Sequence, residues 1–117
     1  MASGVITNPN AYTGDTSVQL SGFASPLILE RIGRICFVTY NGNITSMAKG
    51  DVSFSQVLPA KFRPSSVITI ATNKQSTGSV TIRLLPTGAI DGYNYASSAI
   101  TSATSARFGT TSYVAAI

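Results

Sequence analysis

The residues with most to offer a ligand stand together at Asp91-Gly92-Tyr93-Asn94-Tyr95. This stretch gathers an acid, an amide and two tyrosines. On an extended backbone Tyr93 and Tyr95 share one face, because side chains alternate with period two. Such a set suits a sugar. Aromatic rings stack on the apolar face of the ring, while Asp, Asn and Arg side chains take hydroxyls. Arg107, followed by Phe108, can join the same surface from near the end of the chain. The candidate saccharide contacts are therefore Asp91, Tyr93, Asn94, Tyr95 and Arg107. Tyr40-Asn41 is a further candidate, read more simply as core and turn. The competing reading of the paired tyrosines is packing across strands or between subunits.

Other chemistries lack their groups. The chain has no histidine and one cysteine, Cys36. There is thus no Ser-His-Asp or Cys-His pair, no imidazole for zinc and no Cys-rich metal site. No GxxxxGK[ST] phosphate loop occurs. The acids are Asp15, Glu30, Asp51 and Asp91. Nothing in their spacing makes two carboxylates converge as glycoside hydrolysis needs. Asp51 and Asp91 each adjoin a glycine at an expected turn, where Asp is common for structural reasons. The chain is expected to be non-catalytic, with no metal and no cofactor. Cys36, between Ile35 and Phe37, reads as a small buried hydrophobe and cannot form an intrachain disulfide.

The net charge of +4 and pI of about 9.6 raise the question of nucleic acid. The basic residues are scattered from Arg31 to Arg107 rather than gathered in a stripe, so no nucleic-acid footprint is expected. No apolar run is long enough to span a bilayer as a helix. Met1 to Gly4 lacks the charged and apolar regions of a signal peptide.

The elements that must hold these residues read as β throughout. At 117 residues the chain suits one domain. Apolar residues make up 44% and charged residues 10%, the reverse of a disordered composition. Residues 1–16 read as an irregular arm or linker remnant, and 17–117 as a β-barrel or sandwich. Alternation marks strands at 17–23, 51–56, 67–72 and 79–85, and a further run at 27–32 starts after Pro26 and is broken by Gly33. Ile35 to Tyr40 is apolar on both faces and reads as a central strand. Asn41-Gly42 is either a hairpin turn or a bulge in a longer strand reaching Met47. Residues 73–78 read as a polar loop. Leu85-Pro86-Thr87-Gly88 reads as a turn, with Pro second and Gly fourth. Ala89 to Tyr95 returns as its partner strand, 96–105 reads as a long surface loop, and Arg107 to Val114 as the last strand. About eight short strands are expected, with turns roughly every ten residues.

Between the two halves lies Val57-Leu58-Pro59-Ala60-Lys61-Phe62-Arg63-Pro64. Its prolines forbid a continuous helix or a central strand. Val57, Leu58 and Phe62 should still pin it to a core, so it reads as a rigid crossing.

This crossing resembles the LP-x-x-[FY]-R-P segment in C-terminal head domains of phage tail fibres and baseplate receptor-binding proteins, of the type carried by siphophages of Gram-positive hosts. Arg34 to Met47 resembles the strand before that segment. Val80 to Ile90, with Pro86-Thr87-Gly88, resembles the strand-turn-strand after it. Ser112-Tyr113-Val114 resembles the terminal strand. The likeness covers about residues 18 to 117. It implies a compact antiparallel β-barrel or sandwich that forms a homotrimer and binds host cell-surface saccharide without catalysis. It places the chain at the virion tail tip, acting outside the cell, with tail-attachment and shaft segments upstream of Met1. It also favours the bulged-strand reading of Asn41-Gly42. No membrane insertion and no nucleic-acid partner are expected. Two alternatives remain from other classes: a purely structural trimeric knob, and a single-strand nucleic-acid-binding barrel with bases on Tyr93 and Tyr95.

Overall fold

The computed structural model describes residues 13–74 and 79–117. These residues form two antiparallel sheets. The strands are β1 (Thr13–Val18), β2 (Leu27–Ile32), β3 (Ile35–Ile44), β4 (Gly50–Val57), β5 (Ile68–Ala71), β6 (Asn73–Lys74), β7 (Val80–Leu84), β8 (Ala89–Asn94) and β9 (Thr104–Val114). The first sheet runs β1-β2-β3-β9-β6 and the second β4-β8-β7-β5. No α-helix occurs among the described residues.

Strict alternation sets which face of each strand meets the core. In β2, Leu27, Leu29 and Arg31 are buried and the residues between them exposed. In β7, Val80, Ile82 and Leu84 point in, as their spacing predicts, while Arg83 points out. These rows meet Val38, Tyr40, Ala106 and Phe108 from the centre of the other sheet. Phe23 closes one end, with its ring edge-on to Tyr40 at 5.0 Å and to Phe54 at 5.6 Å.

β3 does run through Asn41-Gly42 as one strand, and it lies in the middle of its sheet. The register slip sits earlier than the glycine, between Val38 and Tyr40. The second apolar face of β3 is not covered: Ile35 is exposed and Phe37 half-buried.

Several boundaries differ from the sequence reading. β1 begins at Thr13, so Thr13–Thr16 of the expected arm are strand. It stops at Val18 rather than Phe23. The amide of Gln19 bonds the Phe23 carbonyl at 2.6 Å, and Gly22 turns the chain at φ +81°. A side chain at Gly22 would lie 2.0 Å from the Ser46 carbonyl oxygen. The expected surface loop at 96–105 is shorter and pinned. Ile100 is buried and exchanges both backbone bonds with Met47, at 2.8 and 3.0 Å. Asn73 and Lys74 form β6 on the edge of the first sheet. The rest of the expected 73–78 loop, and residues 1–12 of the arm, lie outside the described residues.

The crossing joins the two outer strands of one sheet, β4 and β5. Its central turn is a 3₁₀ turn, Ala60–Phe62. Leu58 and Phe62 are buried, whereas Val57, expected to pin the segment as well, ends β4 on the solvent side and is 57% exposed. Leu58 N–H donates to the Gly88 carbonyl at 2.8 Å, tying the crossing to the β7–β8 turn. On the other side the Tyr113 hydroxyl donates to the Phe62 carbonyl at 2.7 Å, and Arg31 Nη1 to the Lys61 carbonyl at 2.6 Å. The segment is thereby fastened to both sheets, as the buried Leu58 and Phe62 require.

Candidate functional site

The outward rows of the second sheet define the site. Inward residues of β8 are Ile90, Gly92 and Asn94, which leaves Asp91, Tyr93 and Tyr95 facing solvent. Strand pairing extends these into two rows. One reads Ser53–Asp91–Arg83–Thr69 across β4, β8, β7 and β5, and the next reads Asp51–Tyr93–Thr81–Ala71. Tyr95 follows just past the end of β8, its N–H bonded to the Ser79 carbonyl at 2.9 Å. All of these but Ala71 line an open cleft of about 620 Å³.

Gly92 makes this geometry possible from behind. A Cβ there would come 2.7 Å from the Thr81 carbonyl oxygen and 3.2 Å from the Met47 methyl. Without a side chain, β8 lies close on β7 between the two outward-facing residues Asp91 and Tyr93.

The two tyrosine rings lie 4.4 Å apart at an interplanar angle of 45°. Tyr93 is 38% exposed and Tyr95 59%. Large aromatic rings left this open have faces available to a ligand. Beside them Arg83 and Asp91 form a bidentate pair, Nε to Oδ1 at 2.7 Å and Nη2 to Oδ2 at 2.6 Å. The hydrogen bond and charge of Asp91, with a further contribution from Asp51, hold the Arg83 guanidinium above its ordinary pKa. The pair is solvent-exposed, so its worth lies in orienting two polar groups rather than in stability.

Of the five candidate residues, three meet here: Asp91, Tyr93 and Tyr95. Asn94 is buried beneath them. Its Nδ2 donates to the Ser98 carbonyl at 3.3 Å and its Oδ1 accepts from the Ala96 N–H at 3.0 Å. It shapes the loop that carries Tyr95 and does not line the cleft. Arg107 stands in the other sheet, opposite Asn41. There it lines a shallower depression of about 420 Å³ with Tyr40, Asn41 and Phe108. The two weaker candidates from the sequence thus meet each other, away from the tyrosines. Asp51, Ser53, Thr69, Thr81 and Arg83 complete the cleft. Outward alternation already marked Thr81 and Arg83. Asp51 read only as a turn residue, and its place opposite Tyr93 depends on strand order, which spacing does not encode.

Among the described residues no three Cys, Asp or Glu side chains converge in a way that could hold a metal ion. Comparison with protein-family models and with curated proteins finds no match to this chain.

Proposed function

We propose that this chain is a non-catalytic receptor-binding head of a phage tail fibre or baseplate protein, and that it binds host cell-wall saccharide as a homotrimer at the virion tail tip. The observation that carries the reading is the exposed tyrosine pair beside the Arg83–Asp91 fork in an open cleft. Stacking surface and oriented hydrogen-bonding groups are what a pyranose needs. The buried crossing at Leu58 and Phe62, built on the segment that resembles such heads, supports the same reading.

The opposite face of the sandwich supports self-association. Ile32, Ile35 and Val114 lie side by side across β2, β3 and β9; Phe37 stands in the next row between Glu30 and Ser112, and Ile28 in the row beyond, opposite Thr39. Ile28, Ile32, Ile35 and Val114 are each between 39% and 54% exposed. An apolar surface of this kind on a small domain marks an interaction site. Assembly through it leaves the cleft free and repeats a weak site, so avidity rises without new contacts. The same face is also what a purely structural knob would carry, so ligand binding separates the two readings. A nucleic-acid strand fits less well. Arg107 is remote from the tyrosines, and Asp51 and Asp91 repel phosphates.

The test is a pull-down of fluorescent protein onto candidate Gram-positive host cells, with and without their wall polysaccharide, alongside light scattering. A trimer that binds only polysaccharide-bearing cells is the expected result. Tyr93→Ala and Tyr95→Ala should each weaken binding about tenfold or more while leaving the trimer folded. A trimer that ignores every wall-bearing cell contradicts the receptor reading and leaves the structural one.

A further inference from the structure

The cleft runs against the charge of its own protein. The chain carries +4 overall and four acids in all, yet Asp51 and Asp91 both face this one site. Among the described residues Arg83 is the cation of the cleft, and both its Nε and Nη2 are bonded by Asp91. These two charges cancel. Asp51 makes no hydrogen bond or ion pair among the described residues; its charge acts on Arg83 only at longer range, and the two acids and one cation leave the cleft one negative charge in surplus.

The place of that charge matters. Asp51 pairs directly with Tyr93 across β4 and β8. Side chains so paired stand about 5 Å apart at Cβ. Tyr93 in turn lies against Tyr95, and both side chains are exposed. A cation between the Asp51 carboxylate and the Tyr93 ring gains an ion pair and a cation–π contact at once. Ser53 follows Asp51 on the outward face of β4, and Thr81 lies beyond Tyr93 on β7, so the same face offers hydroxyl groups to the rest of a ligand. Among the described residues of the cleft an anionic sugar finds only Arg83, already paired with Asp91, and a neutral one leaves Asp51 without a hydrogen-bonding or ionic partner.

We propose that the cleft selects a saccharide bearing a free amine, with the ammonium on Asp51 and Tyr93 and the sugar ring on the tyrosine pair. This rests on the saccharide reading above and adds the chemical class of the sugar. General attraction of polycations does not explain such binding, because the protein as a whole is positive.

The experiment is calorimetric titration of the intact chain with a β-1,4-linked glucosamine tetramer, its fully N-acetylated counterpart, tetralysine and host wall polysaccharide. Wild type and Asp51→Asn are compared, with circular dichroism as the check on folding. The glucosamine oligomer should bind at least tenfold tighter than the acetylated one. Asp51→Asn should erase that preference while leaving the acetylated oligomer unchanged, and added salt should shrink the preference. Equal or tighter binding of the acetylated oligomer overturns the amine and leaves the saccharide reading standing. Tetralysine binding as tightly as the amino sugar overturns the sugar half of the assignment. If neither oligomer binds, the amine inference falls. The wall polysaccharide titration then decides the saccharide reading on its own.

Discussion

Replacing Arg31 by Met should cost this domain a large part of its stability. Arg31 occupies an inward position of β2 and is 2% exposed. Its Nε donates to the Gly33 carbonyl at 2.7 Å and its Nη1 to the Lys61 carbonyl at 2.6 Å, while Nη2 donates to the main-chain oxygen of Ile117. One guanidinium thus joins the β2–β3 turn, the crossing and the last residue of the chain. A hydrogen bond from a charged donor contributes about 1.5–3 kcal/mol net. Three on one side chain are not additive. Met keeps the apolar stem but strands the acceptors, so the expected loss is about 3–5 kcal/mol. A domain of this length has about 6–18 kcal/mol in hand. The melting temperature should fall by roughly 10–20 °C. The chain has no tryptophan, so urea unfolding is followed by tyrosine emission and circular dichroism. Arg31→Lys should fall between Met and wild type, since one ammonium cannot span three diverging oxygens. Glu30→Gln, next door but exposed, should change stability by no more than about 0.5 kcal/mol. A loss under about 1 kcal/mol for Arg31→Met would refute the idea that this side chain holds the base of the sandwich together.

Three further outcomes are expected. Phe62→Ala should destabilise by about 3–5 kcal/mol in the same urea assay, because its ring is buried in the core; a loss under about 1 kcal/mol would make the crossing a loose loop. Burial raises the Cys36 thiol above its ordinary pKa, although Tyr113 and Arg31 pull the other way, so iodoacetamide at pH 8 should label it far more slowly in native protein than in urea; equal rates would place it at the surface. Ile32→Asp with Ile35→Asp should convert the proposed trimer to monomer in light scattering while the fold survives; a double variant that still elutes as a trimer moves the interface elsewhere.

Local patterns carried the fold far. The alternation at Val80, Ile82 and Leu84 fixes which face of β7 is inside, and the same rule put Tyr93 on β8 and Tyr95 just past its end on one face. The turn at Leu85-Pro86-Thr87-Gly88 closes with its Gly88 N–H on the Leu85 carbonyl at 2.8 Å, as its residue order requires. What escaped was non-local. Arg31 continues the buried row of Leu27 and Leu29, and no pattern in β2 says that two backbone oxygens from distant segments, at Lys61 and Ile117, will meet it there. Asn94 reads as a ligand-facing amide until burial shows it satisfied by its own loop. Arg107 lies close to the tyrosines in sequence, but β9 joins the other sheet. Asp51 reaches Tyr93 only because β4 pairs with β8, a pairing across the whole crossing.

The central claim is that the outer face of the four-stranded sheet is a saccharide site. Its most direct test is a titration of isotope-labelled protein with fragments of host wall polysaccharide, read by backbone amide shifts. The account predicts saturable shifts at Asp51, Thr81, Arg83 and 91–95, with the five-stranded sheet unchanged. Saturable shifts centred on Arg107 and Asn41 or on Ile28, Ile32 and Ile35, with the tyrosines silent, would contradict it.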